Sequence, residues 1–305
     1  MPNRAPRNLR LACLAFALIA LPAAAQSVAP GTVTSTASLT GIVQFNTDFD
    51  QGGDFDWVGG IAAASLTRQF TREFSAGVSV QYLYEDWKFS SNNVAFGGNS
   101  PWSTLNRPIL GANFTYAAAP DLVVSFLPTF GWSYDTAASA SDGQVYGALA
   151  TVTKVFSPTL VLGLGGGVFR DVGKTRGFPF LIVDWKIDDH WKIANPFPAG
   201  PAGGAGLELV YAFDERWQLA GGATYRSYRY RLGNSGPYAD GVGENNGIPT
   251  FARLTHRFGA ASRVDFYAGL MLGGKLKVYN NGGNEVASDD FKTAPILGLT
   301  LATRF

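Results

Sequence analysis

Leu297-Gly298-Leu299-Thr300-Leu301-Ala302-Thr303-Arg304-Phe305 closes the sequence. Leu297, Leu299, Leu301 and Phe305 fall on one face, and Gly298, Thr300, Ala302 and Arg304 on the other. That period of two specifies a β-strand with one greasy face and one small or polar face. A last strand of this kind needs a partner. A closed membrane barrel supplies one by pairing its final strand with its first, which leaves no edge.

The other end agrees with that reading. Arg4, Arg7 and Arg10 precede an apolar run, Leu11 to Leu21, and Ala23-Ala24-Ala25 follows. The order of basic, apolar and small residues predicts a signal peptide over 1–25. The run is shorter than the roughly 20 apolar residues of a membrane helix, and Pro22 breaks it. Cys13 lies inside the apolar run without an apolar stretch ahead of it, so it is not read as a lipidation site. Cleavage removes this single cysteine, which excludes disulfides, thiolate metal sites and cysteine nucleophiles. It also takes three of the 24 basic residues and none of the 23 acidic ones, leaving 21 against 23. Nothing in that balance points to nucleic acid. Residues 26–34 form a polar leader too short for a plug, which disfavours an energised plugged transporter, and 35–305 read as a single barrel.

Period-two alternation continues through the chain. Phe74, Ala76, Val78, Val80, Tyr82 and Tyr84 oppose Ser75, Gly77, Ser79, Gln81 and Glu85; Leu160, Leu162, Leu164 and Val168 oppose Gly163, Gly165 and Gly167. Short turns at Thr71-Arg72-Glu73, Pro120-Asp121, Ser157-Pro158-Thr159, Asp188-Asp189-His190 and Asp214-Glu215-Arg216 alternate with longer connections at 90–104, 233–248 and 279–290. Aromatic residues flank the short turns (Phe70, Phe74, Phe156, Trp191, Phe213, Trp217, Phe258) and recur near the long connections (Tyr84, Trp132, Tyr134, Tyr228, Tyr230). Two aromatic girdles, alternation and unequal loops predict an all-β, transmembrane, antiparallel up-and-down barrel. We count about 14 strands, or 12 if the proline-rich region from Pro196 to Pro201 interrupts a crossing.

Two resemblances follow from these residues. The row Leu297, Leu299, Leu301 and Phe305 resembles the assembly signal of bacterial outer-membrane barrels. That resemblance implies an outer membrane of a Gram-negative bacterium, with its lipid and lipopolysaccharide as surroundings and the barrel assembly machinery as a partner in biogenesis. Phe178-Pro179, Asn195-Pro196-Phe197-Pro198-Ala199-Gly200-Pro201, Gly206-Leu207-Glu208-Leu209, Gly243-Glu244-Asn245-Asn246-Gly247-Ile248-Pro249 and Gly298-Leu299-Thr300-Leu301 are similar to an outer-membrane barrel family known mainly as a domain of unknown function. This resemblance implies fold and location and carries no site residues.

By parity, Asp184, Lys186, Glu208, Arg253, Arg257, Asp265, Lys275 and Lys277 face the lumen. Arg226 joins them, and a β-bulge near Ser227 would reconcile it with Arg229 and Arg231, which have the opposite parity. These charges form either a constriction that tunes passage or a paired network bracing a filled interior. Asp48, Asp50, Asp54 and Asp56 surround Gly52-Gly53 and offer oxygen ligands for calcium, although they lack the EF-hand spacing; a solvated acidic loop is the plainer reading. His190 and His256 sit at the short-turn end with no serine beside either in sequence, which argues against a lipid-hydrolysing site. The function that follows is a passive channel or small-solute transporter, monomeric and without a cofactor. The alternatives are a non-conducting structural or surface-interaction barrel and, behind it, a lipid-modifying enzyme.

Overall fold

The computed structural model describes residues 28–198, 200, 201, 203 and 205–305. The signal-peptide reading falls on residues outside these. Seventeen strand segments combine into 14 crossings of one closed antiparallel barrel. In chain order they are β1 (Val33–Asp48), β2 (Asp54–Gln69), β3 (Phe74–Phe89), β4 (Thr104–Ala119), β5 (Leu122–Trp132, continued by Tyr134–Asp135), β6 (Gln144–Ser157), β7 (Leu160–Asp171), β8 (Lys174–Lys186), β9 (Trp191–Ala194), β10 (Gly206–Ala212), β11 (Trp217–Thr224, continued by Arg226–Arg231), β12 (Val242–Phe258), β13 (Ser262–Tyr279) and β14 (Glu285–Phe291, continued by Ala294–Arg304). The proline-rich region does not remove a crossing. It shortens the two strands that it joins.

The last strand closes the ring. β14 pairs with β1 from Thr36 opposite Arg304 to Gln44 opposite Ile296, and Phe305 and Ser35 exchange both backbone hydrogen bonds at 2.8 and 3.2 Å. Leu297, Leu299 and Leu301 are exposed on the outer face beside Val78, Val80, Leu110, Phe126, Leu164 and Val168. Thr300 and Thr40 are buried on the inner face and share a hydroxyl hydrogen bond of 2.8 Å. An apolar exterior around a partly polar interior is the construction of a transmembrane barrel. Among the described residues no helix is long and apolar enough to cross a membrane.

The short turns share one local design. Phe70 donates its N–H to the Phe74 carbonyl, Ile187 to Trp191 and Phe213 to Trp217. A side-chain oxygen then caps each turn. Asp188 Oδ1 accepts the N–H groups of His190 and Trp191 at 2.8 and 2.7 Å, Asp214 Oδ1 accepts those of Arg216 and Trp217 at 2.7 Å, and Thr71 Oγ1 accepts those of Glu73 and Phe74. Short side-chain acceptors compete well for backbone N–H groups in turns, and the residue that closes each of these three turns is aromatic.

The long-loop end departs from the parity expectations. Much of 233–248 and 279–290 is strand, because β12 begins at Val242 and β14 at Glu285. β13 carries one extra residue between the pairs Asn246–Lys275 and Ile248–Leu272, where Gly273 adopts φ 56°, a conformation glycine takes without a Cβ penalty. The extra residue flips every side chain beyond it. Leu276 and Val278 therefore enter the interior cluster. Lys275 and Lys277 leave the lumen face and pair with Asp290 at 3.1 Å and Glu285 at 2.6 Å.

Candidate functional site inside the barrel

At the short-turn end the inner wall is small and polar. Thr36, Ser38, Ser65, Thr67, Ser79, Asn113, Thr115 and Ser125 all point inward and are half-buried, so the lumen opens there as a polar vestibule. Asp184 pairs with Lys192 at 2.7 Å on this rim, and Lys186 pairs with exposed Asp189. His190 and His256 lie at this end among aromatic rings. His190 Nδ1 sits 2.8 Å from the Ala212 carbonyl, and the His256 ring is 4.2 Å from Trp217.

Above the vestibule a charged brace spans β10, β12 and β13. Arg253 grips both Glu208 oxygens, with Nη2 to Oε1 at 2.5 Å and Nε to Oε2 at 3.2 Å, and its Nη1 reaches Asp265 at 3.3 Å and Thr255 Oγ1. Asp265 also accepts the Thr255 hydroxyl at 2.5 Å and Arg263 Nε at 3.0 Å. Arg253, Glu208 and Asp265 are each less than a tenth exposed. Of the two arginines that share this face of β12, Arg253 and not Arg257 takes Asp265, whose carboxylate Thr255 and Arg263 also occupy. Arg257 Nε is buried with no hydrogen-bond partner among the described residues.

The segment between β9 and β10 then folds into the lumen. Its Phe197 ring lies 4.3 Å under the Arg263 guanidinium. A Cβ placed at Gly200 would stand 2.7 Å from Tyr267 Oη, and one at Gly298 would stand 2.7 Å from Pro201 Cγ. Pro198, Gly200 and Pro201 also line a cavity of about 10 Å³, opposite Ile42, Ile61, Gln81 and Leu83 of β1–β3. That is room for about one water molecule. β3 is seven strands from β10 on a ring of 14, so this strap crosses the lumen. Its proline and glycine content reads in sequence only as a weak strand region. Those residues suit a chain that leaves the ladder, since proline donates no hydrogen bond and glycine permits close approach.

At the same height Arg226 projects from β11 to an ion pair with Glu85 of β3. Its guanidinium lies 4.6 Å from the Trp57 ring centre and 4.8 Å from that of Tyr228. Glu85 also accepts Trp87 Nε1 at 3.1 Å and the Tyr230 hydroxyl at 3.3 Å. Beyond this pair the interior is aromatic. Phe55 lies 5.2 Å from Trp87 and 5.1 Å edge-on from Phe291, with Trp102, Phe96, Phe49 and Met271 in the same buried cluster. Offset and edge-on contacts of this kind are the favourable ones for aromatic pairs.

The outer half of β11 and β12 also turns inward. Arg231 pairs in parallel with Tyr134 of β5 and donates its N–H to the Ser133 carbonyl at 2.9 Å. One face of this hairpin meets the aromatic cluster through Tyr230. The other meets the inner wall of β5–β8, where Val242 and Tyr279 pack with Leu149, Phe169 and Phe178. No bulge forms near Ser227, because the register runs unbroken from Ala223–Thr250 to Arg226–Gly247. Arg229 has the opposite parity and is buried nonetheless, since the hairpin has protein on both faces. It holds Glu244 at 2.5 Å, which Arg176 of β8 also holds at 2.6 Å. Glu85, Arg107, Asp171, Arg176, Arg229, Glu244 and Arg263 were not singled out by parity. Glu85 with Arg226, Arg107 with Asp171 and Arg176 with Glu244 join strands far apart in sequence, whereas Arg229 meets Glu244 within one hairpin and Arg263 meets Asp265 on its own strand.

The four loop carboxylates do not converge. Asp48 pairs with Lys292 at 3.4 Å, and Asp56 accepts the Asn46 N–H at 2.7 Å. Among the described residues no group of three or more acidic, histidine or cysteine side chains is placed to hold a metal.

No protein-family model matches the chain, and no curated protein matches it. Solved barrels align with it along almost its full length. An outer membrane channel of Pseudomonas putida F1 has a TM-score of 0.48 at 10% identity, covering 93% of this chain and 99% of that one. The P. putida toluene transporter TodX has 0.45 at 11%, covering 93% and 92%. The translocator domain of the autotransporter NalP from Neisseria meningitidis has 0.37 at 12%, covering 92% and 91%. The likeness is one of barrel architecture.

Proposed function

We propose that this protein is an outer-membrane channel for small solutes, held closed in this conformation by Phe197, Pro198, Gly200, Pro201 and Gly203 of the strap between β9 and β10. The observation that carries the reading is the half-buried polar vestibule, which ends at an inserted connection. Large barrels enclose water unless a segment is folded into them, and here the described residues of the segment meet the wall where Pro201 approaches Gly298, Gly200 approaches Tyr267 and Phe197 lies under Arg263. The barrel works as a monomer in the outer membrane of a Gram-negative bacterium, surrounded by lipid and lipopolysaccharide and assembled by the barrel machinery. It belongs with the uncharacterised barrels that its Asn195–Pro201 and Gly243–Pro249 motifs resemble, and it is not an enzyme.

A second reading has its own observation. The Arg253 brace and the Arg226–Glu85 pair are buried as in a filled interior, which suits a structural barrel. Single-channel recording of refolded protein separates the two. Gly298→Val places a branched side chain against Pro201 and pushes the strap off β14, so the variant is expected to conduct more, or open more often, than the wild type. Absence of current from both, with the barrel correctly folded, leaves the structural reading.

A further inference from the structure

β12 and β13 bring two arginines face to face in the vestibule. Arg257 and Arg263 are directly opposite in the register. Both lie on the inner face, Arg257 two residues beyond buried Thr255 and Arg263 two residues before buried Asp265. Side chains opposed in this way stand about 5 Å apart at Cβ, and like charges there repel.

The neighbouring carboxylates do not neutralise the pair. Arg263 donates to Asp265 at 3.0 Å, but Asp265 is shared with Arg253 and Thr255, and Glu208 is gripped by Arg253. The charges that act on Arg257 are those of Arg263, Asp265 and Arg253. Arg257 has no ion pair among the described residues, and its Nε is buried with no hydrogen-bond partner among them. All 23 acidic side chains of the sequence belong to described residues. No undescribed side chain can therefore supply the missing carboxylate.

The rest of the vestibule leaves that charge uncancelled. Gln218 of β11 stands opposite Thr255 and adds an amide to the same face. Exposed Arg304 of β14 has the inner parity two residues beyond Ala302, which stands opposite Arg263. Asp184 is already taken by Lys192 at 2.7 Å. Across the lumen the wall of β1–β5 offers the uncharged hydroxyl and amide groups of Thr36, Ser38, Ser79, Asn113 and Thr115. A mouth lined by one sign of charge concentrates the opposite ion.

We propose that Arg257 and Arg263 form an anion subsite in the vestibule, which takes small solutes bearing a carboxylate or phosphate group. An oxyanion seated between the two guanidinium groups replaces their repulsion with charge-assisted hydrogen bonds, and the planar fork of arginine matches both kinds of group. The Arg263 side chain is 28% exposed, so it is reachable from the mouth. Phe197 stacks on its face at 4.3 Å and leaves the edge of the guanidinium to donate. The proposal rests on the channel reading and names its solute class.

The test is titration calorimetry of the refolded protein with inorganic phosphate and with succinate at low ionic strength, where screening is weak. Reversal potentials of the same preparations are recorded in a salt gradient. Wild-type protein is expected to bind at least one of the two anions and to pass anions in preference to cations. Arg257→Gln takes no partner away from the fold and should weaken binding about tenfold or more, as fits the loss of charge-assisted bonds. Its reversal potential should move toward that of a cation-preferring pore. Arg263→Gln should do the same, and Arg257→Lys should keep the ion preference while losing affinity, because it keeps the charge without the fork. Lys154→Gln changes a half-exposed cation that lies over Phe156 at the same end but on the outer face, and it should alter neither measurement. A conducting barrel that binds neither anion, or whose binding both glutamine variants leave intact, overturns the subsite and keeps the channel. An equal loss in Lys154→Gln also overturns the subsite, since it reports net charge alone. Anion binding without conductance from a folded barrel keeps the subsite and overturns the channel.

Discussion

Asn195 and Val183 hold each other twice, through the side-chain oxygen of Asn195 on the Val183 N–H at 2.9 Å and the Asn195 N–H on the Val183 carbonyl at 3.3 Å. This contact is where the ladder ends and the strap departs. With its bonds to the carbonyls of Leu181 and Gly206, one amide side chain ties β8 to the start of β10.

Asn195→Ala leaves one backbone N–H and two carbonyls without those partners at membrane depth. Unsatisfied buried groups cost about 1–3 kcal/mol each. The variant is expected to lose at least about 1 kcal/mol of stability, read as a lower urea midpoint, whereas Asn195→Gln recovers part of it. Equal midpoints for the alanine variant and the wild type would contradict the capping role.

Arg253 and Arg257 should behave differently although they share a face and a strand. Arg253→Ala strips two buried carboxylates of a partner, a change typically worth about 3–5 kcal/mol. Arg257 has no carboxylate to itself, so Arg257→Ala should cost under about 1 kcal/mol. Urea unfolding of the two variants checks this, and similar losses in both would show that the brace is not centred on Arg253.

The capped turns give a pH dependence. Backbone N–H groups, that of Trp191 first and then His190, hold Asp188 below the usual carboxylate range, and those of Trp217 and then Arg216 do so for Asp214. A carboxyl with a depressed native pKa stabilises the fold fully above its unfolded value, about 3.9, and loses that contribution as pH falls through the native value. Melting midpoints should therefore drop as pH falls below about 4. Asp188→Asn with Asp214→Asn keeps an acceptor at each turn and should flatten that part of the profile. An unchanged slope in the double variant would remove the explanation.

Phe305 completes the seam with Ser35 and sends its ring to the outer face, where it is 76% exposed. Phe305→Asp puts a charge at the end of the lipid-facing row Leu297, Leu299 and Leu301. The expected result is less heat-modifiable barrel in the outer membrane with export intact. Normal amounts of folded variant there would contradict an assembly role for this row.

The sequence by itself determined the barrel and the outward rows, because a lipid exterior imposes a period of two on every wall strand and tight turns carry their own chemistry in residues such as Asp188 and Asp214; it left the crossings at 14 or 12, and the structure decided 14. The sequence also placed Glu208, Arg253 and Asp265 inward. What it did not determine is what fills the ring. Lys275 and Lys277 were misplaced by parity because one glycine, Gly273, shifts the phase, and a local run cannot show a phase shift that only its partner strand reveals. Arg229 and Glu244 are buried by a hairpin with protein on both faces, and Pro198, Gly200, Pro201 and Gly203 face a wall seven strands from β10. Those arrangements depend on contacts between residues far apart in the chain. Periodicity records which face a side chain takes, but not how far the backbone beneath it has bent into the lumen.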